Sequence, residues 1–439
     1  MNLRLIPLSL AISAAFAGPA QAQNLMSLFE TARGYDAVYK AAQYQYTANL
    51  SKGDQAKAVL LPTVGLTANL NKTDVDVLAT NQTIKAQSQA ATLSASQPLY
   101  RPANMASYQQ GMRQLELASI QLKAAEQDLM VRLSQAYFDV LISRESLDFV
   151  KAQKLAVAEQ LAAAKRNFEV GTSTITDTRE AQARYDLVLA QEIAADNDLR
   201  IKRLALNQLV GTNDIEPKSL SSMAKLSGPE SSSIDQWVKQ SSEFNPSVLQ
   251  TRAALDIAKL ETTRAEAGHK PTLDLVAGFT PTRYKNGKGI NSSQVDSNTN
   301  SITLAFNMPL FAGFATQNRI KETLALEDKA RADLDAAERN VAQATRTAFF
   351  GLQSGIGQVN ALQAAEASSQ SALDANKLGY QVGVRINIDV LNSQSQLFQT
   401  KRDLAKARYD VLLGQLKLKQ AAGTLTETDL ASINALLSP

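Results

Sequence analysis

The sequence predicts a mainly helical protein made of two copies of one unit: a helix, two strands, a very long helix, a tight turn and a last helix. Three observations carry this. Val170-Gly171 returns as Val382-Gly383 and Asp177 returns as Asp389, at a constant shift (383 − 171 = 212 and 389 − 177 = 212). Two stretches, one starting after Pro102 and one near Ala315, contain no proline over roughly 65 residues and would each span about 100 Å as helix. Ahead of each lie short segments of strict apolar/polar alternation, the period of a strand. A chain that repeats its parts in fixed order builds a pseudo-symmetric assembly.

The chain of 439 residues opens on an export signal. Arg4 supplies the positive charge, residues 5–16 form an apolar stretch broken by Pro7, and Ala20-Gln21-Ala22 is a small-residue cleavage site. Residues 1–22 are therefore expected to be removed, leaving Gln23 first. The segment is short for a spanning anchor. No cysteine is present, so the exported chain has no disulfide and no thiol to carry a lipid. The remainder has no run of about 20 apolar residues. Two destinations stay open: the periplasm or medium, and the outer membrane as strands, whose alternating signal is weak.

A net charge of +3 gives no reason to expect nucleic acid. His269 is the only histidine, which removes a histidine-rich metal site and a catalytic triad; it is expected to be solvated near a helix end. No catalytic residue, cofactor or metal site is predicted.

The first repeat covers residues 23–212. Its helix lies near residues 24–58 and its strand pair at about 61–100. Val64, Leu66, Ala68 and Leu70 face one way, and Thr63, Gly65, Thr67 and Asn69 the other. Pro98 sits where the second strand hands over to the long helix, a place a sheet tolerates proline. That helix is expected to run to about Phe168. A connector follows at 213–232, rich in serine. The second repeat covers 233–424, with a helix near 233–268, a strand pair at about 271–311 ending at Pro309, and a long helix from about Ala315 to Leu378. Its apolar faces are Leu273, Leu275, Ala277 and Phe279, then Ile302, Leu304, Phe306 and Met308. Residues 284–300 read as an exposed loop. A tail at 425–439 closes the chain, with Trp237 expected to pack as structure beside it. A half-buried sheet in a soluble domain, the commoner case, and a barrel wall both satisfy the alternation.

The last helix of each copy shows two apolar seams. Ala195/Ala407, Leu199/Val411, Leu206/Leu418 and Val210/Ala422 share one side of the wheel. Ile193/Ala405, Ile201/Leu413 and Leu204/Leu416 lie nearly opposite. A two-stranded coiled coil needs one seam; a helix in a cylindrical wall or inside a bundle needs two. At the turns between long and last helices, Gly171 and Gly383 fit positions of positive φ. Asp177 and Asp389 fit the first turn of the helix that follows.

These residues resemble the TolC family of outer-membrane exit ducts over essentially the whole mature chain. The likeness rests on the doubled order of elements, the Leu61-Pro62 and Lys270-Pro271 strand starts, the Pro98-Leu99-Tyr100 and Pro309-Leu310-Phe311 strand ends, and the tips. The segment from Ala407 to Leu425 extends it. The resemblance implies a homotrimer, mainly α with a membrane β-barrel, in which each chain gives four strands to a shared twelve-stranded barrel continued by a long α-helical periplasmic barrel. It implies a passive channel with no active site, located in the outer membrane and reaching into the periplasm. The implied partners are outer-membrane lipid, a periplasmic adaptor and an inner-membrane transporter of the RND, ABC or MFS class. By position it places Asp389 at the pore constriction. In the family's namesake a second aspartate follows one turn on; here that position is Asn392, so one of two expected charged rings is missing. It assigns Thr176, Asp177, Tyr380 and Arg385 to links that hold the periplasmic end closed. The competing reading, a periplasmic adaptor, requires one helical hairpin and a compact β domain, whereas the sequence shows two hairpins and two separate strand pairs.

Overall fold

The computed structural model describes residues 24–438 apart from 79–81, 214, 222–225, 227, 286–289 and 292–293. The signal at 1–22 lies outside the described residues, as do parts of the connector and of the 284–300 loop. In chain order the elements are α1 (Leu25–Tyr35), α2 (Ala37–Ala58), β1 (Thr63–Val77), β2 (Gln82–Tyr100), α3 (Pro102–Glu169), α4 (Ile175–Val210), α5 (Ile234–Phe244), α6 (Pro246–Glu266), β3 (Thr272–Tyr284), β4 (Ser297–Asn307), α7 (Ala315–Gln381), α8 (Asn387–Ala422) and α9 (Glu427–Asn434).

Each half thus opens with two helices where periodicity suggested one. The first break falls at Asp36, which leaves the helical region and turns its carboxylate onto the Tyr39 N–H at 3.0 Å, starting α2. Burial works against ionising this carboxyl, but hydrogen bonds from Arg132 (2.8 Å) and from backbone N–H groups outweigh it and hold the group below the usual aspartate range. The second break, at Asn245, stands before Pro246, whose ring disfavours a helical residue ahead of it and suits the first position of α6.

The chain divides into two compact units. The first comprises residues 1–42, 122–246 and 338–439. Its core packs Leu28 and Phe29 of α1, Leu133, Tyr137 and Phe138 of α3, Leu206 of α4 and Tyr409 and Leu412 of α8. The rings of Phe138 and Tyr409 lie 5.7 Å apart, and Tyr137 meets Phe138 edge to face at 5.9 Å. The Tyr137 hydroxyl donates to the Lys218 carbonyl, and Leu220 bridges Leu437, which fastens the connector to the C-terminal segment. Trp237 is buried in a second cluster with Phe349, Leu352, Val411 and Leu418, its indole N–H donating to the Ser231 carbonyl.

The second unit comprises residues 43–121 and 247–337 and holds a four-stranded antiparallel sheet in the order β1-β2-β3-β4. Its register explains the alternation. Val64, Ala95, Ala277 and Ile302 form one row across all four strands, and Leu66, Leu93, Phe279 and Asn300 the next. Leu275 pairs with Leu304 and Leu273 with Phe306. These rows share a face, because side chains two apart on a strand point the same way. The opposite face carries Thr63, Ser96, Val276 and Thr303, then Gly65, Ser94, Gly278 and Ser301, with the Thr92 and Thr280 hydroxyls 3.0 Å apart. One face is therefore apolar and the other hydroxyl-rich.

Among the described residues nothing covers the apolar face. Val64, Leu66, Leu70, Ile302, Leu304 and Phe306 are all exposed. β1 and β4 each pair on one side only. Pro98 falls at a register shift inside β2, while Pro309 stands beyond the end of β4. Where β2 meets α3, Arg101 grips Asp274 with two hydrogen bonds of 2.7 and 2.6 Å.

The two seams of the last helices differ between copies. In α8 both are covered: Ala405, Leu413 and Leu416 are 9 %, 5 % and 1 % exposed. In α4 the seam of Leu199, Leu206 and Val210 is buried, but the opposite one is bare, with Ile193, Ile201 and Leu204 at 67 %, 54 % and 67 %. One protomer supplies both neighbours of α8 and only one of α4. Ile201→Asp is accordingly expected to leave the helicity of the protomer unchanged while lowering the fraction that elutes as an oligomer in detergent; size-exclusion chromatography with circular dichroism checks both.

Candidate functional site: the two helical tips

Both long helices end in the same way. In the first, Gly171 adopts φ 78°, its N–H bonds the Phe168 carbonyl at 3.0 Å, and the Thr172 N–H bonds the Asn167 carbonyl at 2.8 Å. In the second, Gly383 adopts φ 81°, its N–H bonds Tyr380 at 3.2 Å, and the Val384 N–H bonds Gly379 at 2.9 Å. This pair of bonds around a left-handed glycine is the Schellman termination. A Cβ at either glycine would meet open space, so the left-handed backbone alone favours glycine there.

The helices that follow start differently. Thr174 caps α4: its hydroxyl accepts the Asp177 N–H, and the Asp177 carboxylate accepts the Thr174 N–H at 3.0 Å. That is a reciprocal capping box. Ser173 adds a hydroxyl hydrogen bond to the same carboxylate at 2.6 Å. These bonds, Ser173 foremost, hold the Asp177 carboxyl below the usual aspartate range despite the opposing effect of partial burial. Thr176 is exposed on the same first turn.

At the second tip Ile386 occupies the corresponding cap, and its apolar side chain makes no bond to the helix start. Asn387 is buried at the first position of α8, and neither its Oδ1 nor its Nδ2 meets a partner among the described residues. A buried amide left so costs about 1–3 kcal/mol per unpaired group. The second tip is thus the less firmly built of the two.

Of the six polar residues singled out from sequence, Arg385 and Asp389 pair with one another, while Tyr380 and Asn392 find partners in the first half of the chain. Arg385 reaches Asp389 at 3.7 Å, one helical turn on, with both side chains partly solvated. Tyr380 packs against Leu373, Val390 and Leu397, and its hydroxyl accepts from Asn167 Nδ2 at 3.1 Å, which ties the end of α7 to the end of α3. Asn392 accepts from Arg184 Nη2 of α4 at 2.8 Å. Within one protomer, then, the Asp177 carboxylate is occupied by its own cap, and the Tyr380 hydroxyl bonds Asn167. Thr174-x-x-Asp177 was readable as a capping pattern. Asn167 and Arg184 carried no such signal, because their partners lie 213 and 208 residues away. Beneath the tips Val157, Leu161, Ala181, Val188 and Leu391 form a small apolar cluster that joins α3, α4 and α8.

Residues 31–212 and 237–424 match the family model described as "Outer membrane efflux protein". The outer membrane protein TolC of Vibrio cholerae is 32% identical over 420 residues, covering 94% of this chain and 94% of that one. The proteases secretion protein PrtF of Dickeya chrysanthemi is 30% identical over 428 residues, covering 95% and 92%. The fold matches the crystal structure of the outer membrane protein VceC from Vibrio cholerae with a TM-score of 0.79 at 18% identity, over 91% of this chain and 96% of that one.

Asp177 contributes its stability only when ionised. Its carboxyl is depressed in the folded tip, so the contribution is complete above the ordinary value of 3.8 and is lost as pH falls through the lower folded value. Asp177→Ala is expected to cost the start of α4 about 1 kcal/mol, near fivefold faster amide exchange there at pH 7. Exchange mass spectrometry checks this, with the difference between variant and parent disappearing in strong acid.

Proposed function

The chain belongs to the outer membrane efflux protein family, and from that premise we propose that three copies form a passive exit channel whose periplasmic mouth is gated at the helical tips. Outer-membrane location with a periplasmic extension goes with the family, whose members are trimeric and work with adaptor proteins and inner-membrane transporters. The observation that carries the channel reading is the sheet: four strands, an exposed apolar face, a hydroxyl-rich face and two unpaired edges. Such a sheet satisfies its backbone only when further copies close it, with the apolar face toward lipid and the polar face toward water. The bare seam of α4 asks for the same partner. No enzyme activity is proposed, since the family and fold are those of channel proteins.

The gate reading draws on the contrast between the two tips. The first is firmly capped; the second has an uncapped start, a buried unpaired amide and a hydroxyl tie to Asn167. Parts that move are drawn from the less stable end of a structure. Asp389 of each copy is proposed to face the axis and Asn392 the next level, with Thr176, Asp177, Tyr380 and Arg385 as the groups whose contacts bias the closed state. An adaptor reverses that bias by binding the open form better. Drug efflux and one-step protein secretion are both compatible cargoes: PrtF is named for secretion of proteases, and the family for efflux.

Recordings in planar lipid films test the reading. The trimer should conduct, and Arg385→Ser or Tyr380→Phe should raise its conductance in the absence of an adaptor; a silent film, or unchanged conductance in both variants, counts against it. Asn392→Asp restores a second carboxylate and is expected to strengthen both cation preference and block by multivalent cations. Concentration–block curves for a trivalent cation give the comparison.

A further inference from the structure

Asp389 and Asn392 are three residues apart on α8 and therefore share a face. Each has a guanidinium resting on it. Arg385, from the turn, lies 3.7 Å from the Asp389 carboxylate. Arg184, from the first third of α4, donates through Nη2 to Asn392 Oδ1 at 2.8 Å in solvent-accessible surroundings. Two acidic residues of α4 lie near Arg184: Asp186, two residues on and turned away, accepts from Gln182 Nε2, while Glu180, one turn back on the same face, forms no ion pair with Arg184 among the described residues. The two positions that the constriction reading places on the axis thus present one carboxylate and two guanidinium groups in each protomer.

We infer that Arg184 is a selectivity-determining residue of this channel, a fixed positive charge at the Asn392 level that opposes the Asp389 ring and admits anionic solutes to a mouth that carboxylates alone would close to them. The inference rests on the constriction reading. An amide at 392 is what makes it possible in a neutral form: Asn392 has a carbonyl oxygen to orient the guanidinium and no charge to cancel it. With an aspartate there, the same arginine would form an ion pair and the pair would contribute little net field. Arg184 also joins the first half of the chain to the second, since α4 and α8 belong to different repeats.

The experiment is the reversal potential of purified trimers in planar lipid films under a potassium chloride gradient, for the parent, Arg184→Gln, Arg184→Lys and Asp389→Asn. Arg184→Gln is expected to raise the cation-over-anion permeability ratio at least about twofold, the effect of a unit charge roughly 6–8 Å away in a solvated mouth. Arg184→Lys should keep the parent value, because it keeps the charge. Asp389→Asn should shift the ratio in the opposite direction. If Asp389→Asn shifts the reversal potential and Arg184→Gln does not, the inference about Arg184 is overturned while the constriction stands. A change in Arg184→Gln conductance with an unchanged reversal potential makes Arg184 only a clamp between α4 and α8, and likewise overturns it. No shift in either variant removes the constriction reading and this inference together. A shift in Arg184→Gln alone supports Arg184 and moves the constriction away from Asp389.

Discussion

Closure is the constraint on which the rest depends. A backbone N–H or C=O at a sheet edge needs a partner, and in a membrane water cannot provide it. Among the described residues the sheet has two open edges, β1 and β4, and an apolar face with nothing over it. Strand alternation and the row of small and hydroxyl residues on the opposite face are both consequences of building one segment of a closed wall. The second seam of α4 poses the same requirement in helical form: Ile193, Ile201 and Leu204 gain from burial only if another surface arrives. Protomer folding and assembly are then parts of one free-energy balance, as in other obligate oligomers.

Internal duplication makes the exceptions informative. Two copies of one unit terminate their long helices identically, with the same left-handed glycine and the same two hydrogen bonds. They begin the next helix in opposite ways. Thr174 and Asp177 cap each other, whereas Ile386 caps nothing and Asn387 is buried with its amide unmatched. Duplicated parts under equal demands would keep equal caps. The divergence puts the firm tip and the labile tip side by side in each protomer, tied by hydrogen bonds from Asn167 to Tyr380 and from Arg184 to Asn392.

Charge at the tips follows the same local logic. Asp177, which sequence alone allowed as either a cap or a gate contact, spends its carboxylate on the start of α4. Arg385 and Arg184 instead sit over the positions proposed to line the axis, one on a carboxylate and one on an amide. An amide where a carboxylate was expected therefore changes more than one ring of charge, because it accepts from Arg184 without neutralising it.

By itself the sequence determined whatever depends on near neighbours and on period. The two strand pairs, the long proline-free helices and the glycine turns all follow from spacing of a few residues, and the repeat offset from matching those short patterns to one another. The two-seam pattern of the last helices was equally legible, since a wheel needs only one helix. Tertiary structure decided what depends on residues far apart in the chain. It set the cross-strand rows that align Val64 with Ala95, Ala277 and Ile302, and it covered the second seam of α8 but not of α4. It also brought Arg184 to Asn392 and Asn167 to Tyr380. Local periodicity says which face of an element is apolar; only the packed chain says whether anything is there to meet it, because that contact joins segments with no short-range pattern in common.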